Sequence, residues 1–316
     1  MSTSPTAELG LGLAALARPG YITLGHAADL EGNYDVAAME RRTHAMLDAA
    51  RAAGIRWFDV ARSYGRSEEF LASWLEAHRV RPGELSVSSK WGYRYVADWQ
   101  VNAKQHEIKD HGLAALERQL VESREQLGTY LSLYQVHSAT LESGILEDQR
   151  VLARLGELRD AGLPIGLSLS GPHQRETLEK ALEIEIAGLP LWSSVQATWN
   201  LLERGVEPAL RAAKSAGVRV LIKEALANGR LTDRAAPNAL REEAARLQVS
   251  ADAVALSAAL AQPFVDIVLL GAVTPTQLAE NVRARSLDGS DLAQRLAALL
   301  EPPEQYWAER SRLAWN

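Results

Sequence analysis

The chain has 316 residues, 47% hydrophobic and 23% charged, the balance of a soluble globular protein able to bury a large core. Its formal net charge of -6, with no block of basic residues, speaks against a nucleic-acid partner. The absence of cysteine excludes disulfides, thiolate nucleophiles and zinc-thiolate centres, and is compatible with a cytoplasmic location.

The first apolar run, "LGLGLAALA" (9–17), has no Lys or Arg before it and Glu8 on its threshold, so it reads neither as a signal peptide nor as a membrane span. It holds Gly10-x-Gly12-x-x-Ala15, a formal match to a dinucleotide fingerprint. Pro19 and Gly20 would break the helix that this fingerprint needs, so the run reads as a first strand, with small residues where something packs closely on its backbone. Seven further strand-like runs follow: "IRWFDV" (55–60), "LSVSSK" (85–90), "LSLYQVH" (131–137), "PIGLSL" (164–169), "SVQAT" (194–198), "RVLIK" (219–223) and "DIVLLG" (266–271). Between them lie stretches with apolar residues at helical spacing, among them 37–54, 112–128, 148–162 and 206–217. These four end on Gly54, Gly128, Gly162 and Gly217, where a left-handed helix cap favours glycine.

Strands apolar on both faces and alternating with helices predict an α/β fold, a closed (β/α)8 barrel, in a single domain over 1–316. Two segments exceed the minimal unit. Residues 91–111 after the third strand would shape a pocket, and the tail from about 286 would add an outer helix anchored by Trp307 and Trp315.

Barrels carry chemistry where their strands end. The second run ends near Asp59, the third at Lys90 and the fourth at His137, and Tyr64 follows the second in its loop. Gly65 would allow the turn after Tyr64, and Ser67 with Glu68 would begin the next helix. Taken one by one, these residues have structural readings: a cap, an ion pair, a satisfied core histidine. Together they suit proton transfer to a carbonyl oxygen during hydride movement. An ammonium near a phenol lowers its pKa from about 10, so Lys90 is expected to lower that of Tyr64. Asp59 would hold Lys90 charged, and neutral His137 would orient the substrate oxygen.

With these residues in place, the chain resembles the aldo-keto reductases. The matching pieces run in family order over nearly the whole chain: "GIRWFDVARSYGRSE" (54–68), "VSSKWG" (87–92), "LSLYQVHS" (131–138), "IGLSLSGP" (165–172), "VQATWNLLER" (195–204), "LIKEALANGRLT" (221–232) and "VLLGAVTPTQLAENV" (268–282). The resemblance implies a catalytic tetrad of Asp59, Tyr64, Lys90 and His137, with Tyr64 the general acid/base. It also implies a nicotinamide cofactor extended across the barrel mouth without a Rossmann domain. Ser168 and Gln196 fall where the family binds the nicotinamide carboxamide, but Leu169 stands where an asparagine is usual. Lys223 occupies the place of a stacking aromatic, and Lys223, Glu224, Ala225, Leu226 and Asn228 would line the diphosphate and ring. Gly271 opens the last motif, in which Gln277, Glu280 and Asn281 face the adenosine end. No Arg or Lys stands in 271–281, so NADP(H) is favoured only by the family's habit and NAD(H) is an open alternative, with Arg283 or Arg230 as distant cations.

His26, Trp91, Tyr93, Tyr95, Trp99 and Trp199 are expected to wall the substrate pocket, an aromatic lining that suits ring-shaped or sugar-like carbonyl compounds. "HEIKDHG" (106–112) reads as a solvated helix start rather than a metal site. The expected function is NAD(P)(H)-dependent reduction of an aldehyde, ketone or sugar by a monomer, with no metal, membrane or nucleic-acid partner. The alternatives are a dehydrogenase working in the oxidative direction, a Schiff-base aldolase using Lys90 or Lys223, or a non-catalytic cofactor-binding subunit.

Overall fold

The computed structural model describes residues 7–316. Eight parallel strands close a barrel: β1 (Glu8–Gly12), β2 (Trp57–Asp59), β3 (Ser86–Trp91), β4 (Leu131–Ala139), β5 (Ile165–Leu169), β6 (Ser194–Thr198), β7 (Arg219–Lys223) and β8 (Ile267–Leu270). Each pairs with its sequence neighbours, and β1 closes the ring against both β2 and β8. The predicted helices appear at Val36–Ala52, Leu113–Leu127, Gln149–Asp160 and Glu207–Ser215. Gly54, just beyond the first of these, adopts φ 80°, the left-handed conformation that lets the chain leave the helix for β2.

Side chains alternate in and out along each strand, and the two sets have opposite character. Outward residues such as Phe58, Val87, Val136, Leu167, Val195 and Ile222 are fully buried beneath the helices. The inward set closes the floor of the barrel with Trp57, Leu133, Leu221, Ile267 and Leu269. Gly10 belongs to this floor: a Cβ there would sit 2.8 Å from Leu269, the close approach expected of the small residues in β1.

The segment after β3 is a two-stranded hairpin, Tyr93–Tyr95 against Glu107–Lys109. The expected helix start at 106–112 is therefore corrected to a strand and turn, and the helix begins at Leu113. The tail forms the expected extra helix, Pro303–Ser311, whose Tyr306 and Trp307 are buried among Leu201, Leu231, Leu240, Leu292 and Leu296. Trp315 does not anchor that helix. It lies over the barrel mouth, stacked on His106 with ring centroids 3.9 Å apart and planes within 4°. No helix among the described residues is long and apolar enough to cross a membrane.

Trp74, on helix Ser67–Ala77, ties two neighbouring helices together. It is fully buried, packs on Phe58 at 5.8 Å and donates from Nε1 to Asp48 at 2.9 Å. Trp74→Ala is expected to lower stability by about 3–5 kcal/mol in urea denaturation, through cavity formation and loss of this hydrogen bond.

Candidate active site at the barrel mouth

Above the apolar floor the inward positions turn polar. Asp59 accepts hydrogen bonds from Ser88 at 2.7 Å, Gln196 at 3.0 Å and Gln135 at 3.5 Å, so three facing strands point donors at one carboxylate. Lys90, two residues beyond Ser88 on the same face of β3, donates to Asp59 and to the Val60 carbonyl at 3.1 Å. Both members of this pair are buried, Lys90 completely.

Tyr64 arrives from the loop after β2. Lys90 Nζ lies 4.6 Å from its ring centroid, and its hydroxyl is 3.3 Å from His137 Nε2. Ser63 Oγ lies 3.3 Å from His137 Nδ1. A hydrogen bond donated there by the serine would place the imidazole proton on Nε2, facing Tyr64. The four residues expected at the strand ends thus form one contiguous cluster.

Their titration departs from expectation at the tyrosine. Burial pushes the Tyr64 pKa well above 10, and the Asp59 carboxylate adds to the rise while Arg18 opposes it. The expected lowering by Lys90 is not what the geometry gives, because the ammonium sits against the ring and is engaged by Asp59. Burial likewise lowers the Lys90 pKa, against the pull of Asp59. For His137, burial and then the charges of Lys90, Lys223 and Arg18 hold the pKa well below 6.5, so its ring is neutral at pH 7.

A cavity of ≈ 540 Å³ runs from this cluster across the mouth. Gln196, Lys223, Glu224, Ala225, Leu226, Asn228, Gly271, Gln277, Glu280 and Asn281 all line it. Ser168 does not: it is buried, and its hydroxyl accepts from the Ser138 amide at 2.8 Å. Leu169 faces outward into the core. Lys223 donates to Thr198 Oγ1 at 3.0 Å and lies 3.7 Å from Glu224, which Arg310 of the tail also grips, at 2.8 Å through Nε. Burial lowers the Lys223 pKa to about 8. For Glu224 burial alone would raise the pKa, but Arg310 and Lys223 outweigh it and hold it at about 2.

Several features of this groove suit a nucleotide. Glu224, Ala227 and Asn228 all have positive φ, a backbone form that can turn amides toward an anion. The amide oxygens of Asn228 and Asn281 are buried and have no partner among the described residues.

The predicted pocket residues divide. His26 and Tyr93 line the cavity, whereas Trp91, Tyr95, Trp99 and Trp199 do not. Trp91 and Trp199 each stand one residue after an inward-facing position, Lys90 and Thr198, so alternation turns both indoles outward into the helix layer, Trp199 against Phe264. Trp99 instead caps the Tyr34 carbonyl at 2.6 Å beside Phe70. Buried on the hairpin side, the Tyr95 hydroxyl has no partner among the described residues. His106 stacks on Trp315, and His111 bonds the His137 carbonyl at 2.8 Å. Arg18, Tyr21, Asp29, Glu107, Arg310 and Trp315 line the cavity and were not foreseen; they come from a loop, a hairpin and the tail, where no strand period marks them.

Gly65 fixes where Tyr64 points. It has φ 58°, and a Cβ there would fall 2.3 Å from the Ala17 carbonyl oxygen. Gly65→Ala is expected to lose at least about 1–2 kcal/mol of stability from the left-handed backbone alone. It should also displace Tyr64, so that denaturation midpoint and turnover fall together.

Comparison with known proteins identifies the family and the fold. The aldo/keto reductase family model matches residues 21–298. A candidate aldo-keto reductase structure from Pseudomonas aeruginosa is 26% identical, with a TM-score of 0.63 over 92% of this chain and 91% of that one. An aldo-keto reductase from Bacillus halodurans, solved in its holo form, shares the fold at 22% identity, with a TM-score of 0.67 over 95% of each chain. An aldo-keto reductase of Strobilurus tenacellus is 30% identical over 115 residues, a match that spans 36% of this chain and 30% of that protein's length. The chain belongs to the aldo/keto reductase family of NAD(P)-dependent oxidoreductases.

Proposed function

We propose that this protein reduces a small-molecule carbonyl compound at the expense of NAD(P)H, with Tyr64 as the proton donor. The observation that carries this reading is the meeting of the Tyr64 hydroxyl, His137 and the Lys90–Asp59 pair at one end of a groove whose other end offers unpartnered amide oxygens. A nicotinamide bound in this groove would supply the hydride to the carbonyl carbon. Neutral His137 orients the carbonyl oxygen, and the Tyr64 hydroxyl gives that oxygen its proton. The developing phenolate is stabilised by Lys90 beside its ring and is then reprotonated from solvent. Within the groove, Gln196 would face the carboxamide, Lys223 the diphosphate, and Gln277, Glu280 and Asn281 the adenosine, while Ser168, buried behind the wall against the Ser138 amide, would not reach the cofactor.

The adenosine end supports NAD(H) over the NADP(H) favoured by family habit. Gln277 donates to Asp29 at 2.8 Å, and Asp29 also holds Arg234. Arg283 is committed to Glu280 at 3.0 Å, and Arg230 to Glu301 and Glu309. Asp29, Asp233, Asp252 and Glu280 line this part of the cavity, so a 2′-phosphate would meet carboxylates and cations already paired. The reading takes the enzyme as a cytoplasmic monomer.

Tyr64→Phe, with its fold confirmed by circular dichroism, should lower kcat for aldehyde reduction by about 10²–10⁴. Unchanged turnover would remove Tyr64 as the acid. A tyrosine whose pKa is raised keeps its proton below that pKa. Reduction should therefore stay level through neutrality and past about pH 10, the ordinary tyrosine value, before falling, while alcohol oxidation climbs with pH. Neutral His137 should leave no inflection between about pH 6 and about pH 8. In steady-state comparison kcat/KM for NADH should exceed that for NADPH by at least about tenfold, a preference worth about 1.4 kcal/mol.

A further inference from the structure

Beyond Tyr64 the cavity carries a charged pair that proton and hydride transfer leave unused. Arg18 is only 2% exposed, yet it lines the cavity. The protein holds two of its three guanidinium nitrogens: Nε donates to the Ala14 carbonyl at 3.0 Å, and Nη1 donates to the Ser63 carbonyl at 3.2 Å and to Glu107 Oε1 at 2.7 Å. Nη2 makes no hydrogen bond with the described residues. The rings of Tyr21, Tyr64 and Trp315 stand 4.9, 5.0 and 5.0 Å from Cζ, so the guanidinium lies beside Tyr64 and among aromatic rings.

A guanidinium held at its other two nitrogens, with the N–H groups of Nη2 turned to the cavity, offers those donors to a bound acceptor. An anionic group would satisfy it but would also meet Glu107, which already balances the Arg18 charge. An apolar substrate would leave the donors unmet. A hydroxyl group fits both partners, since it can accept from Nη2 and donate to the second carboxylate oxygen of Glu107, and two adjacent hydroxyls can do so together. Tyr21, Tyr93 and Trp315 line the cavity around this pair and give the carbon skeleton of a polyol an apolar border.

We propose that Arg18 and Glu107 form a hydroxyl-recognition subsite beside Tyr64, which selects neutral polyhydroxylated carbonyl compounds over apolar or anionic ones. This inference rests on the reductase reading above. The subsite draws on three separate segments. Arg18 follows β1, Glu107 sits on the hairpin, and Trp315 is held by its stack on His106 and by Asn316, whose backbone pairs with Tyr21 at 3.1 and 3.2 Å.

The test has a binding arm and a kinetic arm. Xylitol and 1-pentanol are titrated by calorimetry into the protein, alone and with NADH. Xylitol should bind saturably, and its affinity should fall by about tenfold or more in Glu107→Gln and in Arg18→Met, with a smaller change for 1-pentanol. In the kinetic arm, the ratio of kcat/KM for glyceraldehyde to that for propanal should fall by about tenfold or more in the same variants. Should Arg18→Met fail to fold, Glu107→Gln on the solvent-facing hairpin carries both arms. Absence of saturable xylitol binding, or equal losses for the hydroxylated and unsubstituted probes, overturns the subsite. Xylitol binding without turnover of either aldehyde would instead overturn the reductase reading and leave the subsite standing.

Discussion

The buried ion pair between Lys90 and Asp59 organises the upper half of the barrel. Two charges removed from water cost several kcal/mol each unless they are matched to one another and to further hydrogen bonds. Here they are: Lys90 is shared between Asp59 and the Val60 carbonyl, and Asp59 also takes donors from Ser88, Gln135 and Gln196. That requirement explains why inward positions on β3, β4 and β6 hold a serine and two glutamines where other barrels pack aliphatic layers. It also places a cation against the face of Tyr64, whose phenol is favoured by burial.

Around this pair the mouth repeats the same solution with other partners. Arg18 is matched by Glu107, and Glu224 by both Lys223 and Arg310. At this mouth each carboxylate is paired with a cation, while burial, reinforced by the nearby cations, keeps His137 neutral. The consequence is a set of fixed protonation states: a phenol that holds its proton, an imidazole that is uncharged, and an ammonium that stays paired. On the reading proposed above, such a set gives a proton to the substrate oxygen. The walls around it are joined by Asn316 to the loop at Tyr21, and by Arg310 to the end of β7. Both ends of the cavity are thus tied to the same tail.

Much of this was legible because strand periodicity is local. Each of the eight predicted runs contains or overlaps an observed strand, and Asp59, Lys90 and His137 share the inward face because each lies an even number of residues from another inward position on its own strand. The same rule, applied to Trp91 and Trp199, would have turned them outward. They were read instead by residue type, as large aromatics near a strand end, and both are core. Arg18, Glu107, Arg310 and Trp315 could not be found this way. Nothing near 18 in the sequence names position 107 as the carboxylate that balances it, and nothing in the tail names His106 as the ring on which Trp315 lies.

The sequence by itself determined the alternation of strand and helix, the closed barrel, and which polar residues stand at the strand ends, because these follow from hydrophobic period and from the cost of burying charge without a partner. The tertiary structure decided the rim. It set which cation meets which carboxylate, raised rather than lowered the proton affinity of Tyr64, and brought a loop, a hairpin and the tail to one side of the cavity. Those outcomes depend on distance and desolvation between segments separated by as many as 295 positions, as for Asn316 and Tyr21, and no local pattern of residues encodes them.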